Sequence, residues 1–369
     1  MQAANARSIL GWGIYSASSW TWCIGLYLPI IMLRLFGWPG FLLFAIPNIA
    51  GVVLFGYLFD ERRSRDALET HRPAVRLFSI ATAGYQLFFI GWLWTRLLGD
   101  GSSNLGAMVA LGAWLIGLVL VMLPDRAWVW LGVGTWATSI VLFTLHGADG
   151  LGSLPASGSL ERSDLLLLAP AVIFGFMFCP WLDASFHRAR IRSKSPHVFV
   201  VFALTFAPMI LFTCCYGSEG TLALDGIILA QLTMQATFTT AVHLREAWLG
   251  GPDTDRRSIT PWPWAAFLPG CAILLGTLPF IAGETTYLRI LGLYGLVFPA
   301  YALLFMRRRN VATPNRTSLL LFALLLIPCG IAFDRAFIDL ATAWVPFAVG
   351  GLLLLVCATW LLNRRPTSS

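Results

Sequence analysis

The stretch Ser8-Ile-Leu-Gly-Trp-Gly-Ile-Tyr-Ser-Ala-Ser-Ser-Trp-Thr-Trp-Cys23 opens an apolar run that continues to Arg34. Such a run is long enough to cross a bilayer as one helix. Its middle, however, is Ser16-Ala17-Ser18-Ser19-Trp20-Thr21-Trp22, and buried serine and threonine compete with a helix for its own carbonyls. The cluster predicts a span interrupted at mid-depth, whose freed carbonyls suit a hard cation such as sodium. The same small residues would also suit a tight contact between helices. A second run, Leu165 to Phe186, carries Gly175, Cys179 and Pro180. An interior proline removes an N–H and collides with the preceding turn, so this run should be broken or kinked. Paired broken helices at corresponding places in two halves point to a secondary transporter with a central binding site.

The rest of the chain fits that setting. Hydrophobic residues make up 57% of 369 and charged residues 12%, and the mean hydropathy is +0.74. A soluble domain carries about a quarter charged residues, so the expected class is an all-α polytopic membrane protein. Helix-length apolar runs fall at approximately 8–34, 38–59, 77–98, 105–123, 127–146, 165–187, 197–216, 225–247, 261–282, 287–306, 317–333 and 338–362, about 12 transmembrane helices. The first run is too long for a signal-peptide core and should be retained as a span. Seven cysteines, Cys23, Cys179, Cys214, Cys215, Cys271, Cys329 and Cys357, lie inside apolar runs without a CxxC pair and read as small apolar filler.

Orientation follows from the arginines. Arg7, Arg62, Arg63, Arg65, Arg72, Arg76, Arg126, Arg188, Arg190, Arg192, Lys194, Arg245, Arg256, Arg257, Arg307, Arg308, Arg309, Arg316, Arg364 and Arg365 fall on one side of the twelve runs. Only Arg34, Arg96, Arg162, Arg289 and Arg335 fall on the other. The positive-inside bias makes the first side cytoplasmic, with both termini there. This asymmetry explains the net charge of +7 without nucleic acid. Lys194 is the sole lysine among 25 basic residues, which hints at a bacterial inner (cytoplasmic) membrane. Trp38, Trp128, Trp130, Trp248, Trp262, Trp264 and Trp360 read as interfacial anchors.

Spans 1–5 and 6–10 form two groups of five, and an odd number of spans per half inverts the second half. The expected organisation is residues 1–146 as a first inverted repeat, 147–306 as a second, and 307–369 as two peripheral spans with a cytoplasmic tail.

Other polar residues are sparse. Thr233, Thr237 and Thr240 recur on one helix face, flanked by Gln231 and Gln235. That stripe could line an ion or solute path, or join helices by hydrogen bonds. Asn48, Tyr85, Gln86, Thr135, Thr138 and Ser139 are more easily read as packing contacts. No Asp, Glu, Lys or Arg sits at a predicted midplane. Asp183 is a candidate gate or proton relay, or a partner for His187 or Arg188. His243 reads as interfacial.

Two stretches carry a resemblance. Leu10-Gly-Trp-Gly-Ile-Tyr-Ser-Ala-Ser-Ser-Trp-Thr-Trp22 followed by Gly37-Trp-Pro-Gly40, and Phe174-Gly-Phe-Met-Phe-Cys-Pro180 with His187-Arg-Ala-Arg190 after it, resemble core helices one and six of the sodium/solute symporter family. Gln235-Ala-Thr-Phe-Thr-Thr240 resembles its eighth. The resemblance spans about residues 8–306 and implies the LeuT-type five-plus-five inverted-repeat fold in a short, divergent member. It implies a sodium site made by the carbonyls of Ala17 and Trp20 and the hydroxyls of Thr239 and Thr240. It implies a solute site near Ser18, Ser19, Trp22, Phe176 and Cys179, with Gln86 on its wall. The chain departs from the family in lacking an extra N-terminal helix, in having Ser19 where some relatives have Asp, and in the displaced Arg188.

The expected function is therefore sodium- or proton-coupled symport of a small neutral or zwitterionic solute by alternating access, with no cofactor beyond a possible sodium ion. A solute-binding sensor of the same fold is the main alternative. A membrane-embedded transferase is disfavoured, because such chemistry needs a clustered acid, histidine or metal, and the sequence has no HExxH, acid pair or Cys/His cluster. The sequence leaves the oligomeric state open.

Overall fold

In the computed structural model, which describes residues 5–98, 103–146, 155–218, 221–222, 226–249, 264–278, 281–306, 314 and 316–362, Asn5 caps the first helix. Its side chain accepts from Arg7 N at 3.0 Å. Helix α1 (Ala6–Trp20) ends at Thr21 and α2 (Cys23–Phe36) begins two residues later, with a bend of 63° between them. Gly37 closes α2 at φ 65. A side chain there would be strained by the left-handed backbone and would meet Ala156 O at 2.6 Å. Pro39 then sits in the first turn of α3 (Trp38–Leu58), where its missing N–H is no loss.

Helix α4 (Glu61–Thr70) is short and polar, capped by Asp60, whose carboxylate accepts from Arg63 N at 2.7 Å. Then come α5 (Arg72–Leu98), α6 (Ser103–Leu120), α7 (Asp125–His146) and α8 (Arg162–Phe178). The chain tightens into a 3-10 turn at Cys179–Leu182 and resumes as α9 (Ala184–Ser193). Helix α10 (Val198–Cys215) is followed by a two-residue antiparallel pairing of Gly217–Ser218 with Thr221–Leu222. Helices α11 (Gly226–Leu249), α12 (Trp264–Thr277) and α13 (Glu284–Gly292) come next. The helix begun by α13 widens into π turns at Leu293–Val297 and Ala302–Met306, either side of α14 (Phe298–Tyr301). Helices α15 (Arg316–Phe337) and α16 (Val345–Leu362) complete the described chain.

Among the described residues, eight helices are long and apolar enough to span a membrane, and the pair α1–α2 passes the same test as one bent span. The chain is thus a bundle of membrane-length apolar helices. Helices α6, α12 and α16 lie in the remaining apolar runs. Large apolar side chains such as Met108, Val119, Leu204 and Leu354 point outward, as a lipid-facing surface requires.

Helix α1 packs on α10 and α7, α3 on α8, and α5 on α11 and α12. The segments 1–146 and 147–306 are therefore interleaved around one shared core rather than standing side by side. Helix α4 lies against α9, and Arg190 Nε donates to Phe59 O at 2.9 Å. Trp262 and the basic residues Arg256, Arg257, Arg307, Arg308, Arg309, Arg364 and Arg365 lie outside the described residues.

Candidate functional site at the paired breaks

A helix end leaves carbonyls and N–H groups without intrahelical partners, and a buried end must find them elsewhere. At the first break they are found side chain by side chain. Gln235 Nε2, on α11, donates to Ser18 O at 2.7 Å and to Thr21 O at 3.2 Å. Trp22 Nε1 donates to Ser19 O at 2.6 Å. The carbonyl of Ala17 takes Thr21 N at 3.1 Å and Thr21 Oγ1 at 2.8 Å, and that of Trp20 takes Trp22 N at 2.8 Å. On the other side, Cys23 N donates to Gln86 Oε1, on α5, at 3.0 Å, and Tyr287 OH donates to Cys23 O at 3.0 Å. Helix α2 has no cap of its own; Gln86 supplies one.

The second break is held more locally. Asp183 Oδ1 accepts from Ser185 N at 2.7 Å, capping α9. The Cys179 thiol donates to Tyr294 O, in the first π turn, at 3.1 Å. The two breaks meet where Ser19 Oγ and Ser185 Oγ lie 3.3 Å apart. An aromatic cluster surrounds that contact. Trp20 packs on Phe186 with ring centroids 4.8 Å apart, and Trp22 on His243, Tyr294 and Phe78 at 5.2 to 5.4 Å.

A cavity of about 170 Å³ runs from this cluster between α2, α8, the first π turn and α15. Trp20, Trp22, Asn48, Phe176, Cys179 and Tyr294 form one end. Leu35, Phe36, Leu160 and Asp164 line the other, near the end of α2 that holds Arg34. There Arg34 and Tyr27 both bind Glu284, the tyrosine hydroxyl at 2.6 Å from Glu284 Oε2. The arginine-rich side is closed by a denser ionic cluster. Arg188 on α9 makes a two-pronged pair with Glu246 on α11, at 2.6 and 2.8 Å. Asp125, at the start of α7, takes Arg192 at 2.7 Å, Arg188 at 3.6 Å, and Arg245.

Of the residues expected at a site, Trp20, Trp22, Phe176 and Cys179 line the cavity. Ser18, Ser19 and Gln86 are at the break but bond elsewhere: Ser18 Oγ donates to Gly132 O at 2.8 Å, and Ser19 Oγ to Ser16 O at 3.0 Å. Thr239 Oγ1 donates back to Gln235 O and Ala236 O of its own helix. Thr240 Oγ1 is buried without a partner. The bridge from α11 to the end of α1 is therefore made by Gln235.

Three sequence readings are corrected. Asp183 pairs with neither Arg188 nor His187. It caps its own helix, while Arg188 turns to Glu246 and His187 Nε2 lies 2.9 Å from Trp181 O. Its second oxygen, Oδ2, is buried without a partner. His243 is not interfacial but fully buried beside Trp22, because α9 covers that end of α11. Trp128 is no interfacial anchor: it is 0% exposed, with the Arg245 guanidinium 5.2 Å from its ring. In the threonine stripe, the alternative of hydrogen bonds between helices holds at Thr233, which accepts from Trp94 Nε1 of α5 at 2.9 Å. Thr240 is fully buried beside Gln235 and Thr239, while Thr233 and Thr237 are half-buried.

The sequence reading missed the bridging role of Gln235, the tyrosines Tyr287 and Tyr294, and both ionic clasps. One signal was available: Glu246 and Glu284 are acids beside apolar runs in a chain with only 18 acids. Among the described residues, no group of three or more His, Cys, Asp or Glu could hold a metal ion. Compared with known proteins, the chain matches no family model and no curated protein.

Proposed function

We propose that the chain is a secondary transporter of a small organic solute that works by alternating access. One observation carries the reading: a membrane-length helix bent by 63° meets, through Ser19 and Ser185, 3.3 Å apart, the short helix that follows the span Arg162–Leu182, at the end of a cavity. A span broken beside a buried cavity is the arrangement from which such carriers build a central solute site. On this reading the spans form two inverted groups of five with two peripheral helices, as in the sodium/solute symporters. The solute sits at the Trp20–Trp22–Cys179 end of the cavity. The cluster of Asp125, Arg188, Arg192, Arg245 and Glu246 closes the cytoplasmic side and parts when the solute is released. Asp183, buried with one free oxygen, is the candidate proton relay. Sodium, if it couples, binds at Ala17, Trp20, Thr239 and Thr240, and the bonds of Thr21 to the Ala17 carbonyl and of Trp22 N to the Trp20 carbonyl must then yield.

A second reading, a solute sensor of the same build, is favoured by the break itself. Its backbone groups already have partners in the chain, so the site holds its shape without an ion. Uptake into proteoliposomes separates the two. A solute that raises the melting temperature of the purified protein, by binding only the folded state, and that accumulates against its gradient when sodium or a proton gradient is applied, supports transport. The same stabilisation with no flux under any gradient supports sensing.

A further inference from the structure

The cavity at the breaks offers a ligand almost no free polar partner, and this names the chemistry of its occupant. Its long walls are aliphatic and aromatic: Ile24, Leu28 and Ile31 from α2 face Leu168, Val172 and Phe176 from α8. The inner end holds few polar atoms and, apart from the amide nitrogen of Asn48, they are spent on one another. Trp20 Nε1 donates to Asn48 Oδ1 at 2.6 Å and Trp22 Nε1 to Ser19 O at 2.6 Å. The Cys179 thiol is engaged by Tyr294 O, and the Tyr294 hydroxyl lies 3.0 Å from Thr82 Oγ1.

A zwitterion or ion at such a break would be held by the free ends of the half-helices. Here Gln86 already takes the leading N–H of α2, at Cys23, and Gln235 already takes the carbonyls of Ser18 and Thr21. A carboxylate or ammonium moved in would lose its water and gain no oppositely charged partner at this end, which is the unfavourable case for buried charge. Asp164, in the first turn of α8, is the one acid or base among the lining residues, and it sits among those of the outer end. The volume sets the size. An engineered apolar cavity of about 150 Å³ in another protein stays dry and takes benzene, and this one is about 170 Å³.

We propose that the cavity binds an uncharged, largely apolar ring compound, from one aromatic ring to a fused pair, and rejects zwitterions and ions of the same ring. The proposal rests on reading the paired breaks as a solute site. It narrows the expected neutral-or-zwitterionic solute to the neutral class. Such a compound crosses a bilayer unaided, so its binding and its transport are separate questions.

The test is equilibrium dialysis of the full chain in lipid nanodiscs, with empty nanodiscs as the partition blank and no detergent to fill the cavity. The probes share one ring and differ in charge: indole, indole-3-acetate, tryptamine and L-tryptophan. Indole should bind saturably, and the three charged analogues at least about tenfold more weakly, because nothing at the inner end answers their charges and Asp164 lies at the other end of the cavity. Val172→Trp and Leu168→Trp fill the cavity from α8 and should each weaken indole by about tenfold or more while thermal unfolding stays near that of the parent chain.

A charged analogue binding as tightly as indole overturns the proposal. So does saturable indole binding that survives a filling variant that still folds. So does the absence of saturable indole binding, including the case in which native mass spectrometry finds a phospholipid that both filling variants displace. The transport reading fails separately. If indole binds but no membrane-impermeant solute that stabilises the protein moves under any applied gradient, the ligand class stands and transport falls. If tryptophan accumulates, transport stands and the ligand class falls.

Discussion

At the first break the backbone leaves helical geometry at Thr21 and Trp22, and its loose ends are answered from Gln235 on α11, Gln86 on α5 and Tyr287 on α13. At the second, the backbone tightens through Cys179–Leu182, and the next helix is capped by Asp183, the residue just before it. The first break is thus held from outside, and the second largely holds itself. What ties the second to the bundle is the Cys179 thiol on Tyr294 O and, beyond the turn, the ion pair from Arg188 to Glu246. The difference teaches where motion is expensive. Straightening or shifting α1 must undo contacts with three other helices, whereas the turn at Cys179–Leu182 can flex until the Arg188 pair stops it.

The largest expected effect is therefore at that stop. Glu246→Ala would leave the Arg188 guanidinium, 1% exposed, without its two-pronged partner. Removing one member of a buried pair costs about 3–5 kcal/mol. Thermal unfolding should show a loss of that order. A loss below about 1 kcal/mol would mean that Asp125 takes over the arginine and that α9 is not pinned by Glu246.

Next comes the outside hold on the first break. Gln235→Leu should strip the amide from the carbonyls of Ser18 and Thr21 and cost about 2–4 kcal/mol, since each buried carbonyl left unpaired costs about 1–3. Gln235→Glu is the sharper probe. Its carboxylate cannot donate to those carbonyls, so four acceptor oxygens without a donor would invite a cation. The variant should melt higher in sodium chloride than in choline chloride, while the parent chain melts equally in both. A parent chain that is itself stabilised by sodium would show that the carbonyls of Ala17 and Trp20 open to the ion, as the sodium site expected from the resemblance requires.

The first break was legible in the sequence because its cause is local. Five hydroxyl residues between Tyr15 and Thr21 are enough to predict where a helix must fail. The second span instead runs past Gly175 and Pro180 to Leu182 and turns only at its end, at Asp183, not at mid-depth as the sequence suggested. The partners of the first break were not legible, because Gln86 and Gln235 lie 63 and 214 to 217 residues away from what they bind. Helical period shows that Thr233, Thr237 and Thr240 share a face, but not that Trp94 waits on it while Gln235 faces α1. The charges failed for a related reason. Arg188, Arg245 and Glu246 read as loop-side residues in one dimension, and only the packing of α9 against α1 and α11 buries them. Membrane class followed from composition alone; the wiring of the site is a property of contacts between distant helices.

A smaller effect is expected at the cap of the second break. Asp183→Ala should cost about 1 kcal/mol, the usual price of a lost N-terminal cap, and Asp183→Asn should recover most of it, since an amide oxygen can still accept from Ser185 N. If Asp183 also carries protons, the asparagine variant would keep stability and lose pH-driven flux. A stability loss several times larger for both variants would mean that the buried carboxylate is held by more than the Ser185 N–H, and that the second break depends on outside contacts as the first does.

The smallest effect should come from the residue that drew attention to the second break. Pro180 occupies the first turn of the 3-10 segment, a place where a proline's missing N–H is not needed. Pro180→Ala gives the unfolded chain more freedom, which costs about 0.4–1 kcal/mol, and it restores a donor that can offset part of this. The other restraints on the turn remain in the variant: the Asp183 cap, and the Cys179 thiol on Tyr294 O. The melting temperature should therefore fall by only a few degrees, and binding at the cavity should be unchanged. If instead Pro180→Ala abolishes binding while the chain still folds, the proline alone keeps α8 from running on into α9, and the second break is set by one residue rather than by the turn around it.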